Sequence, residues 1–385
     1  MTLYSAQHLS RLRLIVTGGG TGGHTYPALT TIETLRARLA PTGAEPELLW
    51  VGVRDGLEAK VATQAGVPFK AIVTGKLRRT PNPRELLRNV VDAFRIPFGV
   101  LQAVATVGRA RPQVVLSTGG YVSVPIGFAA WLFRVPYLLH EQTLSLGLAN
   151  RILARFATRV LLSHESSLNH LSERLRAKAV VTGNPVRPEI LAGDPTRSGV
   201  DPALPFVLVT GGAAGAQQIN RMLTAALPGL LPHCQIVHQC GSLGLAEMQE
   251  VAAGLPPELK GRYHVVDFIH GELPDLLAAA DVVVARSGAG TVAELTALGK
   301  ACILIPYPYS AGGEQRVTAR ALAADGAAIV LDGDEATPEH LRGAIEMVLT
   351  DPGRHAALSQ AAAAHGRPDA ADRVVTEIIA VAVKG

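Results

Sequence analysis

Two stretches about 190 residues apart repeat one local design, and few folds accommodate it twice. Leu14-Ile-Val-Thr17 runs into Gly18-Gly19-Gly20-Thr21-Gly22-Gly23-His24, and a helix-like run begins near Pro27. Phe206-Val-Leu-Val-Thr210 runs into Gly211-Gly212-Ala213-Ala214-Gly215, and Gln217-Gln-Ile-Asn220 begins a second such run. Each reads as strand, glycine turn, helix. Glycine lets the backbone turn sharply and approach a bound group closely. The helix behind it aims free N–H groups and the positive end of its dipole at the turn, a ready site for phosphate. The repeat predicts an α/β protein of two similar halves with parallel sheets, facing each other across a cleft.

The chain between these stretches keeps the alternation. Glu47–Gly52 reads as a strand and Leu57–Gln64 as a helix ended by Gly66. Val114–Leu116 leads into a third glycine turn, Gly119-Gly120-Tyr121, and Val135–Leu139 delivers His140-Glu141-Gln142-Thr143. Polar residues at the carboxyl end of a parallel strand lie where such sheets bind ligands. Gly183-Asn184-Pro185-Val186-Arg187 follows a short strand, and the prolines at 188, 195, 202 and 205 mark the linker. In the second half Asp281–Ala285 delivers Arg286-Ser287-Gly288-Ala289-Gly290, with Thr291-Val-Ala-Glu294 opening a helix. Asp369–Val383 reads as a closing helix.

Composition limits the function classes. The chain has 385 residues, room for two domains, and 48% hydrophobic content supports a core in each. Cys234, Cys240 and Cys302 show neither metal spacing nor a disulfide pattern and read as reduced core residues. Met1–Leu12 lacks the apolar core of a signal peptide. No charge interrupts Pro112–Phe133, but its glycines and Pro125 favour strand, loop and buried helix over a membrane span. A net charge of +4 is a mild basic excess that suits an anionic membrane surface or a phosphorylated substrate. No reader motif for nucleic acid is present, and none is expected as a partner. Between Thr74 and Val107, Lys76, Arg78, Arg79, Arg84, Arg88 and Arg95 alternate with Leu86, Leu87, Val90, Val91 and Phe94. Those apolar positions share one helical face, which either joins the core or touches a membrane.

Gly18-x-Gly20-x-x-Gly23 matches a dinucleotide fingerprint in form. The second strand, however, ends Val51-Gly52-Val53-Arg54 where a nicotinamide-binding fold has an acidic residue. Asp332-Gly-Asp334 has the form of a metal motif but reads as a solvated turn, so no metal site is expected. Arg286–Glu294 carries more chemistry. The helix N-terminus can face a diphosphate, and a carboxylate one turn in can accept both ribose hydroxyls.

Gly19-Gly-Thr21-Gly-Gly-His24, Gly119-Gly-Tyr121-Val-Ser123, His140-Glu-Gln142, Gly183–Arg187, Arg286–Glu294 and Glu314-Gln315 stand in one order across nearly the whole chain. This set resembles the bacterial undecaprenyldiphospho-muramoylpentapeptide β-N-acetylglucosaminyltransferases, metal-independent inverting enzymes of the GT-B fold, with two facing Rossmann-like domains. The resemblance implies transfer of N-acetylglucosamine (GlcNAc) from UDP-GlcNAc to the lipid-linked muramyl-pentapeptide acceptor, lipid I. UDP-GlcNAc would then be a co-substrate, with no further cofactor. It implies work at the cytoplasmic face of the cell membrane, as a peripheral protein beside other cell-wall synthesis proteins. A related transferase with another lipid acceptor or nucleotide-sugar, and a non-catalytic UDP-sugar binder, are the alternatives.

The same resemblance implies domains at 1–187, for acceptor and membrane, and 188–365, for donor, with a helix in 366–385 returning to the first. It assigns the donor to Thr21, Gly22, Gly23, Thr143, Arg187, Ala213, Ile269, Arg286, Ser287, Glu294, Glu314 and Gln315. Arg78, Arg79, Leu86, Phe94, Tyr121 and Trp131 take the acceptor and membrane side. His24 is a candidate general base, with Glu141 the other carrier of the acceptor proton. Thr143 stands where the family usually has Asn, and Ala213 where it usually has Ser. The first leaves one side-chain hydrogen-bonding group instead of two, and the second removes a hydroxyl worth about 1 kcal/mol near the diphosphate.

Overall fold

The computed structural model describes residues 12–75 and 83–383, with 83–94 and 311 described as backbone alone. The chain divides into two compact units, Met1–Pro185 with Asp369–Gly385, and Val186–Pro368. Arg78 and Arg79 lie outside the described residues, and Arg84, Leu86 and Phe94 lie on a helix whose side chains there are outside them too.

The first unit carries seven strands: β1 (Arg13–Gly18), β2 (Glu47–Gly52), β3 (Phe69–Ala71), β4 (Val114–Gly119), β5 (Tyr137–Glu141), β6 (Arg159–Leu162) and β7 (Ala179–Val181). They form one parallel sheet in the order β3-β2-β1-β4-β5-β6-β7. The chain moves outward from β1 to β3, then returns to lay β4 on the other side of β1. Connections from β1 and β4 therefore leave in opposite directions and open a crevice at their carboxyl ends. Gly18–Gly20 and Gly119–Gly120 hang at that point.

Alternation along the strands fills two layers. Leu14, Val16 and Trp50 pack with helix Gly22–Leu39 and with Val374, Val375 and Ile378 of helix Ala370–Ala382. Ile15, Val51 and Val115 point the other way, against helices Pro83–Ala110 and Ser123–Leu132. Burying each such side chain fully is worth about 1.5–3 kcal/mol. Arg38 ties the last helix down through the Asp372 carbonyl and the Thr376 hydroxyl, at 3.1 and 2.7 Å.

The second unit repeats the plan with β8 (Phe206–Thr210), β9 (Gln235–Gln239), β10 (Tyr263–Val266), β11 (Val282–Ala285), β12 (Cys302–Leu304) and β13 (Ile329–Val330). Their order is β10-β9-β8-β11-β12-β13, again all parallel. The reversal falls between β8 and β11, where Gly211–Gly215 and Arg286–Gly288 emerge. Cys234, Cys240 and Cys302 are buried, unpaired thiols.

Two readings of the sequence change. The first helix opens at Gly22, straight from the glycine turn, and Pro27 lies inside it. Its missing N–H forfeits one intrahelical bond, to the Gly23 carbonyl, near the start of the helix. Asp332 is not a solvated turn residue: its side chain is 7% exposed and holds Arg316 and Arg320 at 2.7 and 3.0 Å. Helix Pro352–His365 has no clear signature in the sequence. Its alanine-rich faces give little apolar contrast, although Asp351 caps it through the Arg354 N–H.

The second core encloses a neutral imidazole. His238 Nε2–H donates to Asn220 Oδ1 at 3.1 Å, and its Nδ1 accepts from the Tyr263 hydroxyl at 2.9 Å. Burial pushes its pKa down from 6.5 to about 4. Between those values the unfolded chain binds a proton that the folded chain refuses. Stability is therefore lost as pH falls through that window, by about 3 kcal/mol in total, and is unaffected well above it. Unfolding of the full chain at pH 7 and pH 4.5 checks this, and His238→Gln is expected to flatten the difference.

Candidate active site

The two glycine turns of the first unit touch. A Cβ on Gly120 would stand 2.6 Å from the Gly19 carbonyl oxygen, and both Gly119 and Gly120 are left-handed, at φ +100° and +87°. Beneath the first turn lies Glu58, fully buried, a residue the sequence reading passed over. Its carboxylate accepts from the Gly20 N–H at 3.1 Å and the Val53 N–H at 2.9 Å. Gly19, Gly52 and Gly56 pack against it with no room for a side chain. This clamp fixes the turn so that the amides of Gly22 and Gly23 open the helix toward a ligand. Glu58→Ala takes the acceptor from the Gly20 and Val53 N–H groups and leaves a cavity where the buried side chain stood, a loss of about 2–4 kcal/mol. Hydrogen exchange at Gly20 and Val53 is the check; unchanged protection there would remove the clamp.

His24 stands in the first turn of the same helix. Its Nδ1 lies 2.8 Å from the Thr118 carbonyl oxygen and 3.0 Å from Gln142 Oε1. Both are acceptors, so the network assigns the proton to Nδ1 and leaves the Nε2 lone pair for a ligand. Gln142 Nε2 donates to the Thr118 carbonyl at 2.8 Å and to His140 Nδ1 at 2.9 Å, and His140 Nε2–H donates to the Gly183 carbonyl at 2.9 Å. Burial holds the His140 pKa below its ordinary value, which keeps this wire neutral. Glu141 has another occupation. Its two oxygens accept from the Thr143 N–H and hydroxyl, the Gly147 N–H and Asn150 Nδ2, at 2.7–3.1 Å. The carboxylate thus organises the loop 143–150, and the Thr143 hydroxyl turns inward to it.

In the second unit, helix Ala289–Ala297 presents Glu294, whose Oε1 meets Arg187 Nη2 at 3.0 Å. Its side chain is 20% exposed. Burial raises its pKa, and the Arg187 charge opposes that rise. Ser287 is buried and donates from Oγ to the Gln315 carbonyl at 2.8 Å, while Gln315 Oε1 accepts from the Tyr307 N–H at 2.9 Å. Glu314 opens helix Glu314–Ala324 directly behind two left-handed glycines, Gly312 and Gly313. Ser287, Glu314 and Gln315 are thereby joined. Arg286 turns inward instead, with Nη1 on Gln218 Oε1 and the carbonyls of Ile305 and Pro306, at 3.0–3.1 Å. Its guanidinium carbon lies 5.5 Å from the Tyr307 ring centroid, so it shapes the loop after β12. Ala213 is exposed at the tip of the turn after β8, and the Ile269 N–H donates to Gln239 Oε1 at 2.9 Å.

Thr21, Gly22, Gly23, His24, Glu141 and Thr143 belong to the first unit, and Arg187 with the rest of the donor set to the second. The first unit also exposes an apolar surface, with Phe98 and Leu101 each 65% and Trp131 50% exposed. Trp131 packs between Phe128 and Phe156, ring centroids 5.6 and 5.4 Å apart. No helix among the described residues is long and apolar enough to cross a membrane, and no three of their His, Cys, Asp or Glu side chains converge on a metal-sized site.

Comparison with known proteins bears on both units. Residues 14–162 match the glycosyltransferase family 28 N-terminal domain, and residues 206–374 match its C-terminal domain. The UDP-N-acetylglucosamine–N-acetylmuramyl-(pentapeptide) pyrophosphoryl-undecaprenol N-acetylglucosamine transferase of Desulforudis audaxviator is 37% identical over 97% of this chain and 100% of its own. The protein of that name from Desulfitobacterium hafniense (strain Y51) is 35% identical, again over 97% of this chain and 100% of its own. Among solved structures, MurG of Acinetobacter baumannii superposes with a TM-score of 0.75 at 26% identity, over 95% of this chain and 99% of that one.

Proposed function

The chain belongs to glycosyltransferase family 28, and from that premise we propose that it transfers N-acetylglucosamine from UDP-GlcNAc to the muramyl 4-hydroxyl of undecaprenyl-diphospho-N-acetylmuramyl-pentapeptide (lipid I). The products are lipid II and UDP, in peptidoglycan synthesis. The observation that carries this reading is the end-to-end match with transferases named for that reaction, across both units.

In the reading we favour, His24 is the general base. The hydroxyl of the acceptor gives its proton to Nε2 as its oxygen attacks the anomeric carbon, and Thr118 and Gln142 hold the imidazole in the receptive tautomer. Glu141 serves the loop 143–150 rather than the proton. Glu294 takes the ribose hydroxyls of the donor, and Gln315, through its amide nitrogen, the sugar. The amides opening helix Ala289–Ala297 and those after β8 meet the diphosphate as charge grows on it. Because the acceptor is a membrane lipid, the protein works as a peripheral one at the cytoplasmic face of the cell membrane. The exposed Phe98, Leu101 and Trp131 of the first unit support that attachment.

The test is UDP release by the purified protein with a short-chain lipid I analogue, UDP-GlcNAc being run beside UDP-glucose and UDP-N-acetylgalactosamine. Turnover with UDP-GlcNAc alone supports the reading. Turnover with another donor would tie Thr143 and Ala213 to a changed specificity, and tight UDP binding without turnover would favour a non-catalytic binder.

A further inference from the structure

We propose that an apolar cavity in the first unit holds the first isoprene units of the acceptor's polyprenyl chain, an assignment that rests on the lipid-linked acceptor proposed above. The cavity measures about 460 Å³, within the ~300–1,000 Å³ range of sites that enclose a small organic ligand. Ile96 and Val100 form one wall, Val124 and Phe128 of helix Ser123–Leu132 a second, and Leu148 and Ile152 a third. Among the described residues no charged side chain lines it. Such a wall cannot repay the desolvation of a sugar, a peptide or a phosphate.

Its position selects the ligand. Tyr121 borders the cavity on one side, and on the other its ring edge lies 3.4 Å from where a Cβ on Gly20 would stand. The same tyrosine directly follows the left-handed pair Gly119-Gly120. The cavity therefore begins where the two anion-suited glycine turns end. A molecule with a diphosphate head and a branched hydrocarbon tail spans both; a tail without that head has no reason to start there. Ile96, Phe128, Leu148 and Ile152 remain partly exposed, so the mouth opens onto the apolar surface that carries Phe98 and Trp131. A longer chain leaves along that surface toward the bilayer.

Calorimetric binding of farnesyl diphosphate and of inorganic diphosphate to the full chain tests the assignment without requiring turnover. Farnesyl diphosphate is expected to bind at least about 10-fold tighter. Ala149→Trp and Val124→Phe, which fill the cavity, are expected to erase that advantage and leave inorganic diphosphate unchanged, whereas Phe98→Ser, outside it, preserves the advantage. Equal binding of the two probes by the unaltered protein overturns the proposal, as does an advantage that survives both filling variants. Equal displacement of farnesyl diphosphate by dihexanoylphosphatidylglycerol assigns the cavity to membrane phospholipid and overturns it too. A farnesyl advantage in a protein that releases no UDP with any acceptor would sustain the cavity and remove the transferase reading.

Discussion

Replacing Glu294 with alanine is expected to lower kcat/KM for UDP-GlcNAc by roughly 10- to 150-fold, chiefly through KM. Hydrogen bonds to a charged group are worth about 1.5–3 kcal/mol net, and the ribose diol would lose its acceptor. The geometry adds a second signature. Arg187 Nη2 lies 3.0 Å from Glu294 Oε1 and opposes the rise that burial imposes on the Glu294 pKa. With Arg187→Ala that opposition ends, and the carboxyl takes up a proton at higher pH than in the unaltered protein. Donor binding in Arg187→Ala should therefore weaken on the acid side at a pH where the parent is still unaffected. Titration of UDP binding against pH measures both effects. A KM for UDP-GlcNAc that Glu294→Ala leaves in place would end the ribose assignment.

His24→Ala is expected to reduce kcat by about 10²- to 10⁴-fold while UDP binding stays near the parent value. The proton on Nδ1 is held by two acceptors, the Thr118 carbonyl and Gln142 Oε1, so only Nε2 can serve a substrate. Glu141→Gln gives the contrast. It disturbs a carboxylate that accepts four hydrogen bonds from the loop 143–150, so its first effect falls on the order and stability of that loop. Steady-state kinetics with a lipid I analogue, beside hydrogen exchange over residues 143–150, separate the two. Should His24→Ala keep its kcat while Glu141→Gln loses it with the loop still ordered, the assignment of the base would reverse.

Much of the candidate site was legible because glycine turns and strand ends are local. The loops after β1, β4, β8 and β11 all carry a signature in consecutive residues, and the strand orders put each pair of them at a point of reversal. Glu58, Asn150 and Gln239 carry no such mark. Each acts through a backbone group or side chain that the fold brings to it, as when Glu58 reaches the Gly20 N–H 38 positions away in the chain. Arg286 shows the same limit from the other side. Its place in the motif was plain, yet whether its guanidinium faces a ligand or its own loop depends on Gln218, Ile305 and Pro306.

The amino-acid order by itself determined the strand–turn–helix units, because apolar runs, glycine turns and helix caps act within a few residues. It determined also that two such halves exist. Only the tertiary structure decided which polar groups are already committed to one another. The tautomer of His24, the hold of Glu58 on the Gly20 N–H and the cavity beside Tyr121 all follow from contacts between segments far apart in the chain. A buried polar group must find its partner wherever packing puts one, and packing is a property of the whole core.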